Sequence, residues 1–388
     1  MTTTTRTGEH DLQAAVERLR PVIEQHREQA EEERKLPEAV VEAMRKEGLF
    51  NLLLPKEFGG AEVDLPTYIS TIEKISSIDS AAGWNFTNCA TSAVQAAFLP
   101  EAGAKEVFGD GALTAGSVIP AGRSVPVDGG YQVSGRWPLV SGCHHAEWIG
   151  ANSLVFEGGS PRMGANGAPD FTLMWFPAKE AQILDTWHST GMRGTGSADV
   201  VVEEVFVPQH RTFSLFTALP RFPGPLYKLD IGAHFLTALS NVGLGIARAA
   251  IDAFVGLAKE KTPTLSQTGL ATRPTVHAEV ARAEARYQSA RAYMHEVVRE
   301  ISAAINNGGG VPEELEARRR LACVNAAESC EQVVDSMYRL GGMTSIYSGH
   351  SLDRCVRDLH TVNQHLAVSP VWWEKTGQYY FGLGLGMP

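Results

Sequence analysis

The chain has no run of the roughly 18 consecutive apolar residues that would cross a bilayer. Its start, Met1-Thr2-Thr3-Thr4-Thr5-Arg6-Thr7, leads into charged sequence without a signal-peptide core, so a cytoplasmic protein with no membrane attachment is expected. Basic residues are outnumbered, 34 Lys and Arg against 44 Asp and Glu, for a net charge of −10. That balance argues against a nucleic-acid partner, since phosphate binding needs a clustered basic face. Cysteine is sparse and odd in number: Cys89, Cys143, Cys323, Cys330 and Cys355 form no CxxC pair. Reduced thiols and no metal site are expected. No GxGxxG follows a strand and opens a helix, so the chain lacks a nicotinamide site of that type.

What is present is an ordinary globular balance, 44% hydrophobic and 20% charged over 388 residues, enough for two or three structural units. Leu12, Val16, Leu19 and Val22 recur at helical spacing, and Leu36-Pro37-Glu38 opens a second amphipathic segment ending near Gly48. From Leu113 to Phe216 the period changes to short strands broken by Gly, Pro and Asp, as in Phe171-Thr172-Leu173-Met174-Trp175-Phe176. Helices return at Ala233 to Glu260, Pro274 to Asn306, Pro312 to Leu340 and Leu352 to His365. The expected division is 1–112 helical, 113–217 β and 218–388 helical.

The densest signal is Trp187-His188-Ser189-Thr190-Gly191-Met192-Arg193-Gly194-Thr195-Gly196-Ser197-Ala198-Asp199, running into Val200-Val201-Val202. Glycines and small hydroxyls let backbone amides approach a flat or anionic ligand, and the β-branched run reads as a strand. By composition alone, a plain turn in a β-sandwich is the better reading. The wording closely resembles the middle-domain signature of the acyl-CoA dehydrogenase superfamily. That resemblance implies a mainly α fold with a central β domain: an N-terminal helical domain, a middle β-barrel or sandwich and a C-terminal four-helix bundle. It also implies that Arg193, Thr195 and Ser197 help hold a flavin.

A second stretch, Gly135-Arg136-Trp137-Pro138-Leu139-Val140-Ser141-Gly142-Cys143-His144-His145-Ala146-Glu147-Trp148, resembles the strand that lines the isoalloxazine edge in that superfamily. Trp137, Ser141 and Gly142 are the matching flavin-binding positions. Residues alone read Trp137 as core and Ser141-Gly142 as a turn. The wording Ser-Gly-Cys-His-His-Ala-x-Trp resembles the two-component flavin-dependent monooxygenase branch. Members of that branch take reduced flavin, FADH2 or FMNH2, from a separate NAD(P)H:flavin reductase.

The C-terminal region supports the same branch. Many acyl-CoA dehydrogenases abstract an α-proton with a Glu in a Gly-Gly-x-Gly-Tyr-x-x-Glu pattern; after Gly341-Gly342 this chain has Ser348 or Gly349 at that position. Gly341 and Gly342 resemble the segment that reaches a neighbouring subunit's cofactor, which implies a homotetramer or homodimer. Further on, His365 matches a His that faces flavin and substrate, and its near-neutral pKa suits proton exchange. His360, five residues earlier, sits about 140° away on an ideal helix and is a substrate-binding candidate or a plain helical His. Arg354 and Asp358, at i and i+4, read as an ion pair. His145, Asn88 and Ser92 complete the substrate candidates; the last two stand where some hydroxylases carry a further His after a Gly-Trp pair. The Arg-x-Gln-Phe-Gly diphosphate grip of the dehydrogenases is missing near Thr262 to Val276.

The leading expectation is a reduced-flavin monooxygenase acting through a C4a-hydroperoxyflavin on an aromatic, phenol- or indole-type small molecule. In it Ser141 holds N5, and His365 orients or deprotonates the substrate. A dehydrogenase with a relocated base, an N- or S-oxygenase, and a non-catalytic flavin-binding subunit are the alternatives.

Overall fold

The computed structural model describes residues 9–164, 167–215 and 217–386; the segment Met1–Thr7 and the strand-region end at Phe216 lie outside them. Helices come first: α1 (Glu9–Glu33), α2 (Glu38–Lys46), α3 (Leu65–Ile78), α4 (Ser80–Ser92) and α5 (Glu101–Phe108). Asp64 and Asp79 cap α3 and α4, their carboxylates accepting the N–H groups of Thr67 at 2.8 Å and Ala82 at 2.9 Å. With Asp79 alone between them, α3 and α4 meet at a sharp corner. They then pack so closely that a Cβ on Gly83 would lie 2.0 Å from Ser76 Oγ.

The β unit follows: β1 (Thr114–Val127), β2 (Gly130–Val140), β3 (Trp148–Glu157), β4 (Ser160–Pro161), β5 (Phe171–Pro177), β6 (Gln182–Leu184), β7 (Ala198–Pro208) and β8 (Thr212–Ser214). The sheet order is β6-β7-β2-β1-β3-β5-β8, with β4 added to β3. β1 runs parallel to β3, and β2 pairs antiparallel with both β1 and β7. Val133, Trp137, Phe176 and Val200 form its core. Between Trp137 and Val140 the β2–β7 register shifts, and Leu139 takes φ +60°. This bulge re-aims the strand just before Ser141.

The chain then returns to helix: α6 (Ile231–Glu260), α7 (Pro274–Asn306), α8 (Glu313–Gly341), α9 (Ser351–Val362) and α10 (Val371–Gly377). Against the membrane expectation, α6 is apolar and long enough to cross a bilayer. Here its Val242, Leu244, Ile246 and Phe254 are buried in the bundle. The two helical units share one core, in which Val16, Ile72 and Phe86 join Val242, Met294, Val334 and Leu359. One expectation is corrected: α9 ends at Val362, and His365 instead opens a single 3-10 turn, Leu366–Val368. The helical-wheel separation of His360 and His365 therefore does not apply.

Candidate active site

Ser141, at the end of β2, is partly exposed and joins three elements. Its Oγ accepts the indole N–H of Trp84 on α4 at 2.9 Å and lies 2.8 Å from Ser197 Oγ. Ser197 Oγ is 2.6 Å from Thr195 Oγ1, which donates to the Met192 carbonyl at 2.9 Å. Gly142, at φ +75°, donates its N–H to the Thr195 carbonyl at 3.1 Å. The two stretches singled out in the sequence are thus stitched together, with the buried hydroxyls of Thr195 and Ser197 behind Ser141.

The 187–199 loop is clamped against helices. A Cβ on Gly191 would lie 2.0 Å from the Arg357 carbonyl, and one on Gly194 3.0 Å from the Ala81 Cβ. Arg357 donates to the Thr190 carbonyl at 2.7 Å, and the Trp187 indole to the Arg193 carbonyl at 3.0 Å. Arg193 itself donates to the Glu31 carbonyl at 3.0 Å, so its guanidinium anchors the loop to α1. The expected Arg354–Asp358 ion pair is corrected as well. Asp358 is buried, accepts the Met192 N–H at 2.5 Å and takes the Ser80 hydroxyl, while Arg354 makes no ion pair among the described residues. Burial, reinforced by Glu31 and Asp79, pushes the Asp358 carboxyl up to about 7.

His365 faces this cluster: its ring meets Trp84 edge-on, centroids 5.6 Å apart. Its Nδ1 accepts the Ala367 N–H at 3.0 Å, and partial desolvation of the ring lowers its pKa while the residue keeps an exposed edge. A neutral ring that accepts at Nδ1 carries its hydrogen on Nε2. His365 is therefore a hydrogen-bond donor; it becomes a base only by giving up that turn contact. The Trp372 indole holds the same turn through the Leu366 carbonyl at 2.7 Å.

Other predicted residues are placed less directly. Trp137 is corrected: its indole is enclosed in the sheet core and donates to the Asn152 carbonyl at 2.7 Å. The exposed apolar side chain on that strand is Leu139, with Val118 and Ile119 exposed on neighbouring β1. Asn88 and Ser92 lie along α4 one and two turns beyond Trp84, bonded to backbone carbonyls of their own helix. His145 contacts Glu38 at 3.3 Å and has a buried, unpartnered Nε2. His360 turns to α8, 3.0 Å from Asp335, and is not brought to the cluster. Glu331, Asp335 and His360 gather ligand-type atoms, but His360 pairs with Asp335 and Glu331 accepts from Asn363. Gly341 is tied back by Lys261, whose Nζ donates to its carbonyl and to Thr344 Oγ1, each at 2.7 Å, on either side of Gly342.

The sequence reading missed Trp84 as a hydrogen-bond donor, Leu139 and Asn85. Both amide atoms of Asn85 are buried without a partner, and a Cβ on Gly142 would lie 3.4 Å from its Oδ1. Such an orphaned amide beside a side-chain-free residue leaves hydrogen-bonding capacity that a bound group can take up. With exposed Leu139, Val118 and Ile119 as apolar surface, and Ser141 as a polar contact, the residues present fit a planar heteroaromatic ring.

Helical layers around one β unit, with a hydroxyl-lined loop at their junction, define an acyl-CoA dehydrogenase-type flavoprotein fold. Family models for "Acyl-CoA dehydrogenase, N-terminal domain" and "Acyl-CoA dehydrogenase, C-terminal domain" match residues 8–107 and 237–370. An indole-3-acetate monooxygenase of Pseudomonas putida is 34% identical over 90% of this chain and 88% of its own. The 3-HSA hydroxylase of Rhodococcus sp. RHA1 superposes with a TM-score of 0.90, at 29% identity over 99% of both chains. XiaF from Streptomyces sp., solved with FADH2 and glycerol, gives 0.89, at 27% identity over 98% of this chain and 97% of its own. The chain belongs to the acyl-CoA dehydrogenase family and, within it, to the flavin-dependent monooxygenase branch.

Proposed function

We propose that this chain is the oxygenase component of a two-component system, hydroxylating a small phenol- or indole-type molecule with O2 and reduced flavin. A separate NAD(P)H:flavin reductase would deliver the flavin, either FADH2 or FMNH2. The observation that carries the reading is the line from His365 through Trp84 to Ser141, which joins a donor imidazole to the hydroxyl at the flavin edge.

Bound reduced flavin supplies the electrons and activates O2. Ser141 and the Gly142 backbone would hold its ring, with Thr195 and Ser197 behind them. His365 Nε2–H would donate to an oxygen or nitrogen acceptor of the substrate and so orient the electron-rich ring carbon. Asn88 and Ser92 on α4 offer further polar groups on the substrate side. A dehydrogenase reading loses support at Ser348 and Gly349, which lie in an exposed turn and bring no carboxylate. The exposed apolar residues Met343, Ile346 and Tyr347, next to Gly342, favour a homodimer or homotetramer built through this segment. Five free thiols fit the cytoplasm.

The test is anaerobic titration of apoprotein with reduced FMN and FADH2, followed by O2 and a panel of phenols and indoles. Oxygenated product is expected. Failure to bind either reduced flavin, or reduction of bound FAD by an acyl-CoA, would overturn the reading.

A further inference from the structure

The hydroxyls behind Ser141 form a chain whose proton order can be counted. At one end stands a donor, the Trp84 indole N–H, and at the other an acceptor, the Met192 carbonyl. Between them lie three hydroxyls, on Ser141, Ser197 and Thr195, linked at 2.8 and 2.6 Å. An indole N–H only donates and a carbonyl only accepts. All four hydrogen bonds are made at once in a single arrangement: Trp84 to Ser141, Ser141 to Ser197, Ser197 to Thr195, Thr195 to Met192. Every hydroxyl proton then points away from the mouth of the site. Ser141, the partly exposed member, is left with one free lone pair and no free proton.

We infer that this directed chain makes Ser141 an acceptor toward the flavin, so that the site selects the reduced cofactor over the oxidised one. The inference rests on the flavin site proposed above, with Ser141 at N5 as the family resemblance implies. Reduced flavin carries a hydrogen on N5 and donates it to the waiting lone pair. Oxidised flavin presents a lone pair there, and the two acceptors oppose each other unless Ser141 withdraws its proton from Ser197. Accommodating the oxidised ring therefore costs a hydrogen bond inside the protein. An oxygenase that receives reduced flavin by diffusion gains from this, because spent flavin is released and the next reduced molecule is held. Ser197 and Thr195 are positioning residues in this scheme: they set the direction of a proton they do not pass to the ligand.

The experiment measures dissociation constants of oxidised and anaerobically reduced FMN and FAD, together with the midpoint potential of the bound flavin. The native protein is expected to bind the reduced form at least tenfold more tightly, raising the two-electron potential by about 30 mV or more. Ser197→Ala frees the Ser141 proton, and Thr195→Val lets Ser197 turn its own proton toward Ser141. Both should bind oxidised flavin more tightly than the native protein, and the preference should fall at least threefold. Thr195→Ser keeps the last link and should keep the preference. A gain in oxidised-flavin affinity cannot come from misfolding. Binding of both redox states with one ratio in all four proteins overturns the hydroxyl-chain inference alone. Binding of neither state overturns the proposed function beneath it.

Discussion

Asp358 offers a quantitative test of how the glycine-rich 187–199 loop is held. Its carboxylate accepts the Met192 N–H at 2.5 Å and the Ser80 hydroxyl, so it joins α9, α4 and the glycine-rich loop at one buried point. Asp358→Ala leaves both donors without that acceptor. At about 1–3 kcal/mol for each unsatisfied buried group, the folded state should lose about 2–6 kcal/mol. Asp358→Asn keeps an acceptor for Met192, gains an amide that faces Ser80 Oγ, and removes a titratable group.

The sign of the pH dependence follows from burial. The folded carboxyl titrates at about 7 against an ordinary value of 3.8, because desolvation, reinforced by Glu31 and Asp79, disfavours its charge. Below about pH 4 both folded and unfolded chains hold the proton, and the stabilisation is fully present. As pH rises from about 4 to 7 the unfolded chain releases its proton first, and that stabilisation is lost. Between pH 5 and pH 8 the native protein should therefore lose about 2–3 kcal/mol relative to Asp358→Asn. Urea unfolding of both proteins across that range measures the difference directly. A difference that stays flat with pH would refute the assignment of Asp358 as a buried acid clamping the loop.

His365→Ala should bind reduced flavin nearly as well as the native protein yet divert reducing equivalents from product into H2O2, read as peroxide formed per flavin oxidised. If His360→Ala uncouples instead, the wrong histidine has been placed at the substrate. Gly191→Ala forces a Cβ to within 2.0 Å of the Arg357 carbonyl. It should lift the loop from α9 at a cost of about 1–3 kcal/mol and weaken flavin binding at least fivefold, by fluorescence titration. Light scattering should find a dimer or tetramer, and Tyr347→Asp, in the exposed apolar segment after Gly342, should weaken it; a native monomer at micromolar concentration contradicts this.

Local pattern was enough to read helix, then strand, then helix along the chain. It also exposed the glycine-rich loop and the Ser141-Gly142 turn; the missing carboxylate at Ser348 and Gly349 was legible only through the family resemblance. The elements, the loop and the turn are short-range features, set by spacing, turn chemistry and residue type. What local pattern could not decide was which way particular side chains face and what they meet. Trp137 falls in the core because it keeps the inward parity of Tyr131 and Val133, whereas the bulge at Leu139, a property of β2 against β7, re-aims only the residues beyond it. His365 leaves the helix because its Nδ1 and the Trp372 indole stabilise a separate turn. Trp84 reaches Ser141 across 57 residues, Met192 reaches Asp358 across 166, and Ser80 reaches Asp358 across 278. Contacts that distant leave no local periodicity, so the donor and acceptor partners at the site were settled only when the two helical units closed on the β unit.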